Sequence, residues 1–240
     1  MTAFVNLAAY KFSPLAELPA LRERLRAVAK SGDLRGTILL SPEGINLFVA
    51  GTREAATSLM AAVRAVPGLE DLTARESFSA GQPFGRMFVK IKREIIAFGV
   101  PGIDPARAPS PKVSARTLKQ WLDEGRPVTL LDTRNDYEIQ HGTFRGAVRA
   151  GIGRFRDFPA AAPRLAEQIG LNPVVMFCTG GIRCEKAGPF LEQSGFANVH
   201  QLEGGILKYF EECGDAHFEG RCFVFDQRVE LDSSLQASGA

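Results

Sequence analysis

The chain has 240 residues, 45% hydrophobic and 23% charged, which is enough to bury a core without disulfide staples and excludes a miniprotein, a disordered tail and a fibrous repeat. Lysine plus arginine number 29 against 27 acidic residues, a net charge of +2, so contact with a polyanion must come from local clustering. No apolar run reaches the roughly 18 residues of a membrane span, and the start Met1-Thr-Ala-Phe-Val-Asn6 lacks a basic segment followed by a cleavable apolar stretch. A soluble cytoplasmic chain with no membrane partner is expected.

In chain order, an apolar run over Phe4 to Phe12 precedes a helical pattern with Leu18, Leu21, Leu25 and Val28 that ends at Ser31-Gly32. Thr37 to Leu40 and Ile45 to Val49 flank Ser41-Pro-Glu-Gly44, a hairpin signal. A second helix carries Ala55, Leu59, Met60 and Val63 on one face and closes at Pro67-Gly68; Phe88 to Lys92 and Glu94 to Phe98 read as further strands. The order β-α-β-β-α-β predicts a ferredoxin-like (acylphosphatase-like) sandwich over residues 1–99. Four prolines between Val100 and Pro111 predict a linker over 100–112. Beyond it the chain alternates: helix Ser114 to Glu124, strands Val128 to Leu131 and Val174 to Phe177, a helix from about Cys184 to Gln193, strand Val199 to Leu202, helix Ile206 to Glu212. That pattern predicts a parallel α/β domain over 113–214. A tail over 215–240, with a frayed end, completes the expectation.

The four cysteines, at 178, 184, 213 and 222, leave gaps of five, 28 and eight residues that match no zinc-ribbon spacing. Cys213 and Cys222 are expected to pack. The segment Val174-Val-Met-Phe-Cys178-Thr179-Gly180-Gly181-Ile182-Arg183-Cys184 runs from a buried-type strand through a glycine-rich turn into a helix. In an open parallel sheet this puts Cys178 at the carboxyl edge, where sites form. The amides of Gly180 and Gly181, the helix start and Arg183 would hold an anion there and lower the Cys178 pKa, making it a thiolate at the mouth of a small cradle formed by Thr179 to Arg183. The bland alternative is a small buried hydrophobe at a strand end. Cys184 could pack, or could resolve an oxidised or persulfidated Cys178 as a disulfide.

Cysteine-based phosphatases use C-x5-R, whereas Arg183 stands at C-x4-R. The loop resembles that of the rhodanese family, whose cysteine carries sulfur as a persulfide. Val128-Thr-Leu-Leu-Asp-Thr-Arg134, Tyr137-Glu138, His141-Gly142-Thr-Phe-Arg-Gly146 and Leu202-Glu-Gly-Gly-Ile206 are similar to its other signatures, over roughly Ser114 to Cys213. Asp132, Arg134 and His141 are read as loop-tying residues. With Ser41-Pro-Glu-Gly-Ile-Asn-Leu-Phe-Val-Ala-Gly-Thr52, Val89-Lys-Ile-Lys-Arg-Glu-Ile95 and Gly220-Arg-Cys-Phe-Val-Phe-Asp-Gln-Arg-Val229, nearly the whole chain resembles the bacterial oxygen-dependent tRNA uridine hydroxylases. The resemblance implies conversion of the wobble uridine of tRNA to 5-hydroxyuridine with Cys178 as the active residue, molecular oxygen as co-substrate and the tRNA anticodon loop as partner. Longer members continue into a cysteine-rich extension; no cysteine follows Cys222 here, and no metal role is carried over.

Two basic clusters bear on RNA contact: Arg86, Lys90, Lys92 and Arg93, and Arg145, Arg149, Arg154 and Arg156 interleaved with Phe155 and Phe158. The second set is the nominated contact, its arginines for phosphates and its aromatics for a base, against a solvated surface over core phenylalanines. Arg22, Arg24 and Arg26 read as a solvent-facing helix side. No flavin, haem or iron signature is present, so no metal or flavin is expected and the electron donor and protein partners stay open. The alternatives are a sulfurtransferase acting through a Cys178 persulfide and a catalytically idle adaptor.

Overall fold

The computed structural model describes residues 4–237, and the chain passes from one compact unit to a second between Ala97 and Phe98. In the first unit β1 (Phe4–Phe12), α1 (Leu18–Ser31), β2 (Arg35–Ser41), β3 (Gly44–Gly51), α2 (Arg53–Arg64), β4 (Arg75–Ser79) and β5 (Met87–Ile91) follow one another. Alternation turns Val5 and Leu7 of β1, Ile38 and Leu40 of β2 and Leu47 and Val49 of β3 inward, against Leu21, Leu25 and Ala29 of α1 and Leu59 and Val63 of α2. Thr52 caps α2, its hydroxyl accepting from the Ala55 amide at 3.2 Å. Gly44, at φ 148°, turns the hairpin where a Cβ would stand 2.0 Å from the Lys11 carbonyl oxygen, so only glycine lets β1 approach.

The sheet order is β4-β1-β3-β2-β5, the ferredoxin-like arrangement with one strand added. The fourth strand of that motif is β4, whose sequence Arg-Glu-Ser-Phe-Ser is too polar to signal a strand; β5 is an extra edge strand running parallel to β2. Glu94 to Phe98, expected as a strand, is irregular: the Ile95 carbonyl is taken by the Asn46 side chain at 3.1 Å.

The second unit holds β6 (Lys112–Val113), α3 (Ala115–Asp123), β7 (Thr129–Asp132), α4 (Asp136–Ile139), β8 (Gly142–Phe144), β9 (Val148–Arg149), α5 (Phe158–Ile169), β10 (Val174–Phe177), α6 (Ile182–Gln193), β11 (Val199–Leu202), α7 (Gly205–Cys213), β12 (Phe218–Gly220), β13 (Cys222–Phe223) and β14 (Glu230–Leu231). Its five-stranded sheet has the order β6-β11-β10-β7-β9, every pair parallel. Helix α5 is masked in the sequence because Pro159 and Pro163 punctuate it. The first sits in the opening turn, where its missing N–H is no loss, and the second is tolerated farther in. Helix α6 starts at Ile182, two residues before the expected Cys184.

The segment 100–112 packs within this unit: Ser110 is 2% exposed, and its carbonyl accepts from the Gln201 side chain at 3.1 Å. The expected tail is also built in. Strand β12 pairs with β8 and seats Phe218 edge-on to Phe144 and Phe210; β13 pairs with β14, and Leu231 bridges Ala237. The extreme end of the tail, where fraying is expected, includes residues 238–240, which lie outside the described residues. Among the described residues no helix is long and apolar enough to cross a membrane.

Candidate active site

From β7 the chain moves outward to β9, and from neighbouring β10 it moves the other way to β11. This is the place where an open sheet leaves a crevice at its carboxyl ends. Cys178 directly follows β10, the central strand. The carbonyls of Cys178 and Thr179 accept from the amides of Ile206 and Leu207, at 3.0 and 3.1 Å, so the start of α7 anchors the loop. Gly181, at φ 100°, then swings its own amide back onto the Cys178 sulfur at 3.1 Å and opens α6. Of the two loop glycines only Gly181 is required by conformation; a Cβ at Gly180 would meet open space. Gly205 is required by contact, since its φ is 65° and a Cβ would lie 2.4 Å from the Cys178 carbonyl oxygen and 2.7 Å from that of Thr179. Gly205→Ala is therefore expected to push the loop off α7 and cut turnover at least about tenfold, with a smaller loss in substrate binding; steady-state kinetics check the split.

Five influences meet at the sulfur. Burial pushes the Cys178 thiol up, but the hydrogen bond from Cys184, the Arg183 charge and the amides of Arg183 and Gly181 outweigh it and bring the pKa from an ordinary 9.0 to about 6. Burial and the neighbouring Cys178 push Cys184 well above its ordinary value, so it stays protonated and donates; the Thr133 hydroxyl lies 3.6 Å from its sulfur. Because folding lowers the Cys178 pKa, the thiolate contributes stability that is fully present above the unfolded thiol's pKa and is lost as pH falls through about 6. Ultraviolet thiolate absorbance is expected to rise through pH of about 6 in the native chain and to lose that step in Cys178→Ser. A single step near the ordinary thiol value would contradict the geometry.

The charges behind the loop are paired and dry. Arg183 Nη2 donates to Glu138 Oε2 at 2.8 Å, with side chains 6% and 0% exposed. Glu138 Oε1 accepts from the Asn135 amide, closing a capping box on α4. Arg134 forks onto Asp132, Nε to Oδ1 at 3.0 Å and Nη2 to Oδ2 at 2.6 Å, and also reaches the Gly142 carbonyl, while Thr143 donates to Asp132. Asp132 and Arg134 thus tie loops together, as expected. So does His141, whose Nδ1 lies 2.6 Å from Glu230 in β14.

The C-terminal segment reaches the site. Phe225 lies under the Arg183 guanidinium at 5.6 Å and Phe223 stands edge-on to Tyr137. Cys222 is fully buried, its pKa pushed up to about 12 by burial, and it meets the Thr179 hydroxyl. Cys222 packs rather than reacts.

Of the nominated loop residues, Gly181, Arg183 and Cys184 act on the Cys178 sulfur, while the Thr179 hydroxyl turns to Cys222. The structure corrects one expectation: Cys178 is 1% exposed, so its sulfur is the floor of the loop, beneath the half-exposed Thr179 and Gly180, and not an atom at an open mouth. It also divides the nominated RNA set. Arg145, Arg149, Arg154 and Arg156 are all exposed. Arg145 pairs with Glu219 at 3.0 Å and Arg154 reaches Asp157 at 3.8 Å. Phe155 and Phe158 cannot stack a base, because they are buried in a ring cluster with Phe98 and Phe190. Glu138 is the functional residue that sequence reasoning leaves without a role; its capping-box spacing from Asn135 is the signal that points to it.

Residues 4–95 match the UPF0176 acylphosphatase like domain, and residues 114–212 match the rhodanese-like domain. The chain is 52% identical to the tRNA uridine(34) hydroxylase of Variovorax paradoxus, over 100% of this chain and 93% of that protein. It is 51% identical to the enzyme of that name from Bordetella petrii, over 100% and 97%, and 50% identical to that from Thiobacillus denitrificans, over 99% and 98%. The chain therefore belongs to the family of these tRNA uridine(34) hydroxylases, in which an acylphosphatase-like domain is joined to a rhodanese-like one.

Proposed function

We propose that this chain hydroxylates C5 of the wobble uridine of tRNA in the cytoplasm, using dioxygen, with Cys178 as the catalytic residue. The observation that carries the reading is the place of the Cys178 sulfur, at the carboxyl edge of the central strand, where it accepts the Gly181 amide at 3.1 Å and where Cys184 and Arg183 lower its pKa. A thiolate added to uracil C6 drives electrons toward C5 and O4, so that C5 takes one oxygen atom from dioxygen. Loss of the C5 proton and expulsion of the thiolate restore the ring and leave C5–OH. The second oxygen atom leaves as water, consuming two electrons and two protons from an external reductant.

Cys184, protonated and hydrogen-bonded to Cys178, stands ready to close a disulfide on a Cys178 oxidised to the sulfenic acid, with release of water. With Cys178 buried, the base reaches it when the half-exposed Thr179 and Gly180 of its own loop shift. Arg149 and Arg156, exposed and free of ion pairs among the described residues, serve the anticodon-loop phosphates. The test is nucleoside mass spectrometry of tRNA from a strain lacking this chain. Loss of 5-hydroxyuridine derivatives is the expected result; loss of thiouridines with 5-hydroxyuridine intact would replace this reading with sulfur transfer.

A further inference from the structure

The helix-free face of the first unit's sheet carries aromatic rings and cations. On β5, Met87, Val89 and Ile91 pack toward the helices, so Phe88 and Lys90 point to the other face. The ladder continues at both ends, where the Gly36 amide donates to the Arg86 carbonyl and the Lys92 amide to that of Leu40. Arg86 and Lys92 thereby extend the same row. Arg86, Phe88, Lys90 and Lys92 are all exposed, Phe88 at 42%.

Across the sheet Thr37 pairs with Phe88 on one side and with Phe48 on the other. Two half-open rings therefore stand on one face two strand spacings apart, about 10 Å. Arg35 lies one row away on the same face, beside Ala50. Lys90 Nζ sits 4.3 Å from the centre of the Phe88 ring. Arg35, Arg86, Lys90 and Lys92 make no ion pair among the described residues, and no β2, β3 or β5 residue on this face is acidic. A large exposed phenylalanine on an edge strand, with Lys90 against its ring and Arg86 and Lys92 in the same row, is poorly suited to contact with water alone.

From this we infer that the β2-β3-β5 face binds single-stranded RNA, with Phe88 and Phe48 as stacking platforms for unpaired bases and Arg35, Arg86, Lys90 and Lys92 as phosphate contacts. Sheets that read single-stranded RNA work by this combination: every base has a π-face to stack, and each neutralised phosphate releases counterions. Assigning the RNA as a loop of the tRNA substrate rests on the hydroxylase reading; the face itself rests on rings and charge.

The experiment measures binding of the full chain to unmodified tRNA and to a single-stranded oligoribonucleotide by fluorescence anisotropy across a salt series. Phe88→Ala is expected to weaken both about tenfold. Arg86→Gln with Lys90→Gln is expected to weaken both and to reduce the salt slope by about two. Arg24→Gln, a charge removed from the exposed side of α1, keeps the native affinity and slope. Thermal melting checks that each variant is folded. If the native chain binds tRNA and neither face variant weakens it, the inference is overturned while the hydroxylase reading stands. If the variants weaken oligoribonucleotide binding but the native chain forms no 5-hydroxyuridine, the face stands and the hydroxylase reading falls. A native chain that binds no RNA overturns the face outright.

Discussion

Cys178→Ser is expected to lower 5-hydroxyuridine formation at least about a thousandfold while leaving the fold in place. The reason lies in proton affinity. Serine fits the space and accepts the Gly181 amide in place of the sulfur, which receives it at 3.1 Å, but a hydroxyl cannot ionise where the thiol sits at about 6. The addition to C6 then has no nucleophile, and a residue that forms the covalent bond is not replaced by its neighbours. Cys184 cannot take over, since burial, the largest of the influences on it, still pushes its pKa up once Cys178 is gone. Circular dichroism and thermal melting separate loss of chemistry from loss of structure. Retained hydroxylation in a folded Cys178→Ser would refute both covalent catalysis and a persulfide on this sulfur.

Arg183→Met should have the largest effect on stability, and a paired variant separates its two roles. Removing the guanidinium leaves the Glu138 carboxylate, 0% exposed, without the partner that now meets it at 2.8 Å. Breaking a buried ion pair from one side costs about 3–5 kcal/mol. The same change removes a charge that lowers the Cys178 pKa, so the thiol step moves up from about 6 and less thiolate is present at neutral pH. Arg183→Met with Glu138→Gln should recover most of the stability, because no bare charge remains and the new side-chain carbonyl can still accept from the Asn135 amide. The thiol step should stay high. Recovery of both together would make Arg183 a purely structural residue.

The local chemistry was legible because it is contiguous. Strand, cysteine, glycines, arginine and helix follow one another from Val174 to Gln193, and each residue's neighbours in sequence are its neighbours in space. What supports the loop from elsewhere was not legible. Glu138 meets Arg183 across 45 residues, and His141 meets Glu230 across 89; no periodicity encodes such pairs. The contacts of the C-terminal segment with the loop, Cys222 with Thr179 and Phe225 with Arg183, are of the same long-range kind. Phe155 and Phe158 read as an RNA-facing pair by proximity to arginines, yet the 3-10 turn at 155–157 and α5 rotate both rings into the core beside Phe98. In the first unit, the hairpin and both helices were set by Ser41 to Gly44 and by 3.6-residue periodicity. Strand β4 was hidden by its polar edge composition.

The most direct test of Cys178-dependent oxygen insertion uses purified chain, unmodified tRNA, a chemical reductant and dioxygen enriched in heavy oxygen, with the nucleosides read by mass spectrometry. The expected product is 5-hydroxyuridine at the wobble position carrying one heavy oxygen atom in the native reaction, with none formed by Cys178→Ser. Oxygen drawn from water, or a thiolated uridine in place of the hydroxylated one, would contradict Cys178-dependent oxygen insertion.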